Sequence, residues 1–200
     1  MNSKIAFCAA LLAAGLAGCQ NPMASNGPMD SLMSRPMTAM DFVPAAASAN
    51  TFEIETSRLA LARSRDPEIR RFASRMIADH TAATRSLTVA ARASGMPVGR
   101  VSLDARQRDV LDDLEAVSPG EFDGAFIDTQ VIAHQESVAL FADFARRGDD
   151  PALMRFAADT LPTLQRHLDE VEGIQGRIVN VGPMSRQGTG MGPGGMTGAM

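Results

Sequence analysis

Twice in this chain an Asp-Pro pair opens the same pattern: Asp66-Pro67-x-Ile69-x-x-Phe72-Ala73 and Asp150-Pro151-x-Leu153-x-x-Phe156-Ala157. Asp accepts hydrogen bonds from the first free backbone N–H groups of a helix, and Pro suits the first helical position. Each pair therefore starts a helix, and each start is followed by apolar residues at helical spacing. The first stripe is Ile69, Phe72, Ala73, Met76, His80, Ala83, Leu87 and Ala90; the second is Leu153, Ala157, Leu161, Leu164, Leu168 and Val171. Another helical stretch precedes each one. Residues 41–65 place Phe42, Ala45, Ala49, Phe52, Thr56 and Leu59 on one face. Residues 121–147 place Phe122, Phe126, Ala133, Leu140 and Phe144 inward. No strand-like alternation occurs, so the chain reads as two similar helix hairpins.

The linker between the hairpins decides their arrangement. The second helix ends at Gly95-Met96-Pro97, a glycine cap followed by a breaker. Leu103 to Val117 form a short helix stopped by Ser118-Pro119-Gly120, and Pro162 predicts a kink in the last helix. A helix of about 27 residues is roughly 40 Å long. The short helix and a dozen extended residues can travel that distance back along the bundle. The expected fold is all-α: a ferritin-like four-helix bundle with a short extra helix in the long crossover. It occupies residues 41–176.

Residues 1–18 read as a signal peptide: Lys4 is positive, and Ile5 to Leu16 are apolar but too short to span a bilayer stably. Leu16-Ala17-Gly18-Cys19 resembles the lipobox of bacterial lipoproteins, which implies cleavage before Cys19 and acylation of its thiol and new amino terminus. Two or more acyl chains anchor stably. Gln20 in place of Asp favours, by analogy, the outer membrane facing the periplasm. Cys8 leaves with the signal and Cys19 takes lipid, so no disulfide or thiolate site remains. Residues 19–40 form a Met/Pro-rich tether, and residues 177–200 a Gly/Met-rich flexible tail. Losing Lys4, the only lysine, moves the formal net charge from −4 to −5. With no basic run, no Trp and no Tyr, nucleic-acid binding has no support.

Four segments share a further pattern: Phe52-Glu53-Ile54-x-x-Ser57-x-Leu59-Ala60; Phe72-Ala73-x-x-Met76-Ile77-x-Asp79-His80; Phe122-Asp123-x-x-Phe126-Ile127-x-x-Gln130-Val131-x-x-His134; and Phe156-Ala157-x-x-Thr160-Leu161-Pro162-x-Leu164-x-x-His167-Leu168. Together they resemble the exported bacterial family called domain of unknown function four-one-four-two. That resemblance implies a ferritin-like fold and carries no established reaction.

A carboxylate-bridged di-iron bundle needs a Glu from each of two helices and Glu-x-x-His from each of the other two. Glu53 and Glu136 stand at repeat-equivalent places, but Ile77 and Leu164 precede His80 and His167 by three. Di-iron oxidase chemistry is therefore not expected, and no nucleophile elbow or phosphate loop supports another enzyme. The three histidines, His80, His134 and His167, lie on three helices, with His167 at the edge of its stripe. With Glu53 they can form a mononuclear Zn, Cu or Fe site, since imidazole suits all three. They can equally form a buried polar network satisfied by Glu53, Asp79, Gln130 or one another. Asp79, Gln130 and Glu136 are the candidate outer residues of either arrangement. Met29, Met33, Met37 and Met40 offer thioethers that suit Cu(I), although Pro36 interrupts them. The expectation is a periplasm-facing lipoprotein with a non-catalytic binding or envelope-associated bundle, its protein partner unspecified. The alternative is a metal-handling protein.

Overall fold

The computed structural model describes residues 37–180 apart from 97 and 100. Residues 1–18, read as a signal peptide, Cys19, Met29, Met33 and the residues beyond 180 lie outside them. Among the described residues five helices follow one another: α1 (Ala39–Arg63), α2 (Pro67–Ala93), α3 (Ala105–Ala116), α4 (Phe122–Arg147) and α5 (Pro151–Asn180). No strand occurs among the described residues. Helices α1 and α2 form one hairpin and α4 and α5 the other, with α2 against α5 and α1 against α4. The connection from α2 to α4 runs the length of the bundle, and α3 within it packs on α1 and α4. This is the ferritin-like arrangement. No described helix is long and apolar enough to cross a membrane.

Both Asp-Pro starts act as read. The Asp66 carboxylate accepts from the N–H groups of Glu68 (2.7 Å) and Ile69 (3.1 Å), and that of Asp150 from Leu153 (2.9 Å). Asp150 also accepts from the Ser94 hydroxyl at 2.8 Å, tying the end of α2 to the start of α5. Gly95 takes a φ of 71°, the left-handed conformation that ends α2 without a Cβ penalty. Helix α5 runs on through Pro162. The carbonyl that Pro162 leaves unpaired belongs to exposed Ala158, where water can satisfy it. Arg63 closes the crossover: its guanidinium donates to the carbonyls of Leu114 and Glu115, each at 2.8 Å, and to that of Val117. The same group sits 4.4 Å over the Phe122 ring.

Two apolar clusters fill the two ends of the bundle. One gathers Phe42, Leu87, Phe141, Phe144, Leu153 and Phe156 where α1 starts; Phe42 and Phe144 stack with centroids 4.0 Å apart. The other gathers Ile69, Phe72, Met76, Phe122, Phe126 and Ile174 where α1 ends. Between them lies a buried polar level. The buried face of α1 differs from the expected one: Ala45, Ala49 and Leu59 are only half-buried, while Val43, Ala46, Asn50, Glu53, Ser57 and Ala60 face inward. The face is turned because its middle is polar, so apolar spacing alone pointed one residue away. Met37 packs against the first cluster and Met40 is exposed, so these two methionines do not converge.

Two substitutions probe this framework. Phe42→Ala removes a fully buried stacked ring and is expected to lower unfolding free energy by about 3–5 kcal/mol. Arg63→Ala strips the crossover of its three carbonyl contacts and should cost about 1–3 kcal/mol. Chemical denaturation with an unchanged slope checks both.

Candidate metal centre

The polar level is built by all four long helices. Helix α1 contributes Asn50, Glu53, Thr56 and Ser57, all buried. They recur at helical spacing, so they share one face. Helix α2 supplies His80 from the middle of its apolar stripe, α4 supplies Gln130 and His134, and α5 supplies His167. The three imidazoles are 2 %, 0 % and 3 % exposed, in chain order. His167 therefore sits on the inward face of α5 and not at its edge.

The rings meet. Centroids lie 5.7 Å apart for His80 and His134, 5.6 Å for His80 and His167, and 5.4 Å for His134 and His167. One ring nitrogen from each lies within 4.8 Å of those of the other two. Every ring also has an outer partner. His80 Nδ1–H donates to Asn50 Oδ1 at 2.9 Å. His134 Nδ1–H donates to the Gln130 carbonyl, one helical turn back, at 2.9 Å. His167 Nε2–H donates to Asp79 Oδ2 at 2.8 Å. These bonds set the tautomers and leave His80 Nε2, His134 Nε2 and His167 Nδ1 as lone-pair nitrogens with no protein partner. An outer acceptor holding each ring while the other nitrogen faces inward is how ligating histidines are oriented.

The remaining buried atoms sharpen the chemistry. Glu53 Oε1 and Oε2 and Gln130 Oε1 are acceptors without partners; Asn50 Nδ2 and the Ser57 hydroxyl are the unpartnered groups able to donate. Acceptors outnumber donors, and one water, with two protons, cannot satisfy three imidazole lone pairs. A cation can. The residues present therefore fit a metal: His80, His134 and His167 can hold it.

The expected site residues divide. Asp79 and Gln130 are outer partners of His167 and His134. Glu53 does not join the three nitrogens; its Oε1 lies 3.5 Å from His134 Nδ1, the outer side of that ring. Glu136 is exposed and forms a two-bond ion pair with Arg106 of α3, at 2.9 and 2.5 Å. Two residues beyond His134 on a helix is about 200° round the axis, so Glu136 faces away. Asn50 was missed in the sequence. Its signal was there, a polar residue one turn before Glu53 on a stripe continued by Ala46 and Ala60. The positions three before each histidine are Ile77, Val131 and Leu164, which bring no carboxylate.

Burial sets the protonation states. It holds His80 well below its usual range, helped by His134 and then His167. It lowers His167 to about 4, partly opposed by the Asp79 hydrogen bond. It raises the Glu53 carboxyl, against smaller opposite effects of His134 and Gln130.

What the fold and site define is a class: an all-helical bundle with a buried tri-histidine cluster able to take a metal ion. The family described as "Domain of unknown function (DUF4142)" matches residues 24–174, and the chain belongs to it. No curated protein matches. Among solved structures, a DUF305 fragment from Deinococcus radiodurans is similar at TM-score 0.60 and 18% identity, covering 68% of this chain and 93% of that one. CopM in its Cu(II)-bound form is similar at 0.58 and 15%, covering 72% and 99%. CopM in its Ag-bound form gives 0.58 and 17%, covering 70% and 97%. At these identities the likeness is one of fold.

The shifts give the metal-free protein a pH dependence of known sign. Folded His80 and His167 stay neutral where the unfolded chain takes up protons, so their contribution is full above about pH 6.5 and is lost as pH falls towards about 4 and below. Glu53 acts oppositely: its contribution is full below about pH 4.5 and is lost as pH rises through its raised value. Two histidines outweigh one carboxyl. Near pH 5 unfolding is therefore expected to take up net protons at this level, and stability to fall as pH falls. Denaturation of the chelator-treated protein from pH 7 to 4.5 measures it, and the His80→Gln/His167→Gln variant should lose that part of the fall.

Proposed function

We propose that this protein is an exported, lipid-anchored metal-handling module that binds one transition-metal ion through His80, His134 and His167 without catalysing a reaction. The observation that carries the reading is the set of three buried lone-pair nitrogens, each backed by its own outer acceptor. Copper is the favoured ion. Neutral imidazole suits Cu, Zn and Fe, and copper(II) stands highest of these in intrinsic affinity. The fold relationship to CopM, whose structures carry Cu(II), Ag and Cu(I), supports the same choice. The aliphatic residues at 77, 131 and 164 support binding over di-iron oxidation. The rival is a polar network that fixes helix register, favoured by the bond from the Gln130 amide to Thr56 Oγ1 at 3.0 Å.

Loading the chelator-treated protein with Cu, Zn or Fe separates the two. One ion per chain is expected, lost in His80→Ala and His134→Ala. Asp79→Asn and Asn50→Leu should retain binding but weaken it by about 10–100-fold through the outer bonds. No stoichiometric metal, with His80→Ala only lowering the melting temperature, would leave the polar-network reading standing.

The anchor rests on the lipobox-like Leu16-Ala17-Gly18-Cys19. Membrane fractionation should find the wild-type chain with the outer membrane and the Cys19→Ser chain in the soluble fraction. A wild-type chain that stays soluble and unlipidated would remove the anchor.

A further inference from the structure

Buried ligands need a path, and none of the three histidines reaches the surface. On one side of the bundle α3 lies across the seam between α1 and α4, and beneath it is a cavity of about 340 Å³. Its apolar wall includes Ala45, Ala49, Val110, Ile132, Ala133 and Leu140, and polar side chains line the rest. Its lining also includes Glu53, which is 1 % exposed, has neither oxygen hydrogen-bonded, and stands 3.5 Å from His134. A buried carboxyl without a close protein partner keeps oxygens able to meet a passing cation. Two contacts clasp the mouth. Arg106 on α3 pairs with Glu136 on α4, and Ser48 on α1 donates to Gln107 on α3 at 2.5 Å. Arg63 and buried Leu114 hold the far end of α3, whereas these two contacts are peripheral, so any loosening of α3 falls at its first turns, over the cavity.

The geometry points to this cavity as the route by which a transition-metal cation reaches the histidines, with Glu53 as the transient oxygen ligand at its inner end. The inference rests on the metal-binding reading above and adds where the ion passes. The opposite side offers a different geometry. The shallow groove between α2 and α5 reaches Asp79, whose side chain is 40 % exposed, but Asp79 already spends an oxygen on His167 Nε2–H. Its role is to orient that ring. Glu53 makes no close hydrogen bond through either oxygen and lines the cavity beneath α3.

A route differs from a ligand in what it changes. Narrowing it slows loading and release by the same factor and leaves the dissociation constant alone, whereas removing a ligand changes the constant itself. The test is stopped-flow mixing of the metal-free full-length chain with aqueous Cu(II), followed by absorbance, beside an equilibrium titration. Val110→Trp fills the cavity from peripheral α3, and Ile132→Trp fills it from an exposed rim position if the first variant folds poorly. Either should load about tenfold more slowly or worse at wild-type affinity, since a local block acts on the association step. Glu53→Gln should also load slowly, and Arg106→Ala, which opens one clasp, should load faster. Ala82→Trp, in the α2/α5 groove, should load as wild type. Loading at the wild-type rate in the filled variants, or slowing in Ala82→Trp instead, would overturn the route while leaving the metal site in place. Absence of equilibrium Cu(II) binding in the wild-type chain would overturn both.

Discussion

The structure depends on three imidazoles sharing the centre of a helical core. A buried neutral ring leaves one donor and one acceptor to be satisfied, and each failure costs about 1–3 kcal/mol. The donors are met from three directions: a side-chain carbonyl on α1, a main-chain carbonyl on α4 and a carboxylate on α2. Two of those bonds cross between helices, Asn50 to His80 from α1 to α2 and Asp79 to His167 from α2 to α5, and the Gln130 amide adds a third by donating to Thr56 from α4 to α1. With the Gln130–Thr56 bond counted, sliding any of the four helices by a turn would break at least one of these contacts, so this level sets the register of the bundle. The inner lone pairs that remain are what make it a site as well as a polar network.

The apolar ends make such a centre tolerable. The stack of Phe42 on Phe144 and the contact of Phe72 with Phe126 close the core on either side of the polar level. Caps and turns then pin the ends of the helices. Asp150 joins α5 to α2 through Ser94, and Asp149 accepts from the Ala39 N–H at 2.7 Å, joining the start of α1 to the α4–α5 turn. With the ends held, the histidines are carried on rigid elements, the condition for a site arranged before its ligand arrives. The side covered by α3 is fastened by Arg63 and Leu114 at one end and by the Arg106 and Gln107 contacts at the other, with Glu53 lining the cavity beneath.

The internal repeat stops at the centre. The two Asp-Pro starts match in sequence and in capping geometry, yet the repeat partner of His80 is Leu164 and that of His167 is Ala83. The first hairpin brings one histidine and the second brings two. A bundle built from symmetric hairpins could place matched carboxylate and histidine pairs around two irons. This one places nitrogen on three helices and aliphatic residues at the positions a bridging carboxylate would need.

Helix number, starts, hairpin pairing and the long crossover were legible in the sequence because capping and apolar period act locally and need only neighbouring residues. The histidines as candidates were legible for the same reason. The inward face of α1 was legible only in part: Phe42, Phe52, Thr56 and Glu53 were read as inward and are buried, but Asn50 and Ser57 look like surface residues until a partner across the core is known. The roles of the acidic residues were also hidden. Glu53 and Glu136 are equivalent in the repeat, but one lies behind His134 and the other pairs with Arg106 in solvent, a difference set by the position of α3. The sequence by itself determined an all-helical chain of two hairpins with three histidines and no thiol in the folded part. Tertiary packing alone decided that the three rings meet and which nitrogen of each stays unbonded. Those outcomes follow from contacts between residues as far apart as 50 and 80, or 79 and 167, which no local rule can register.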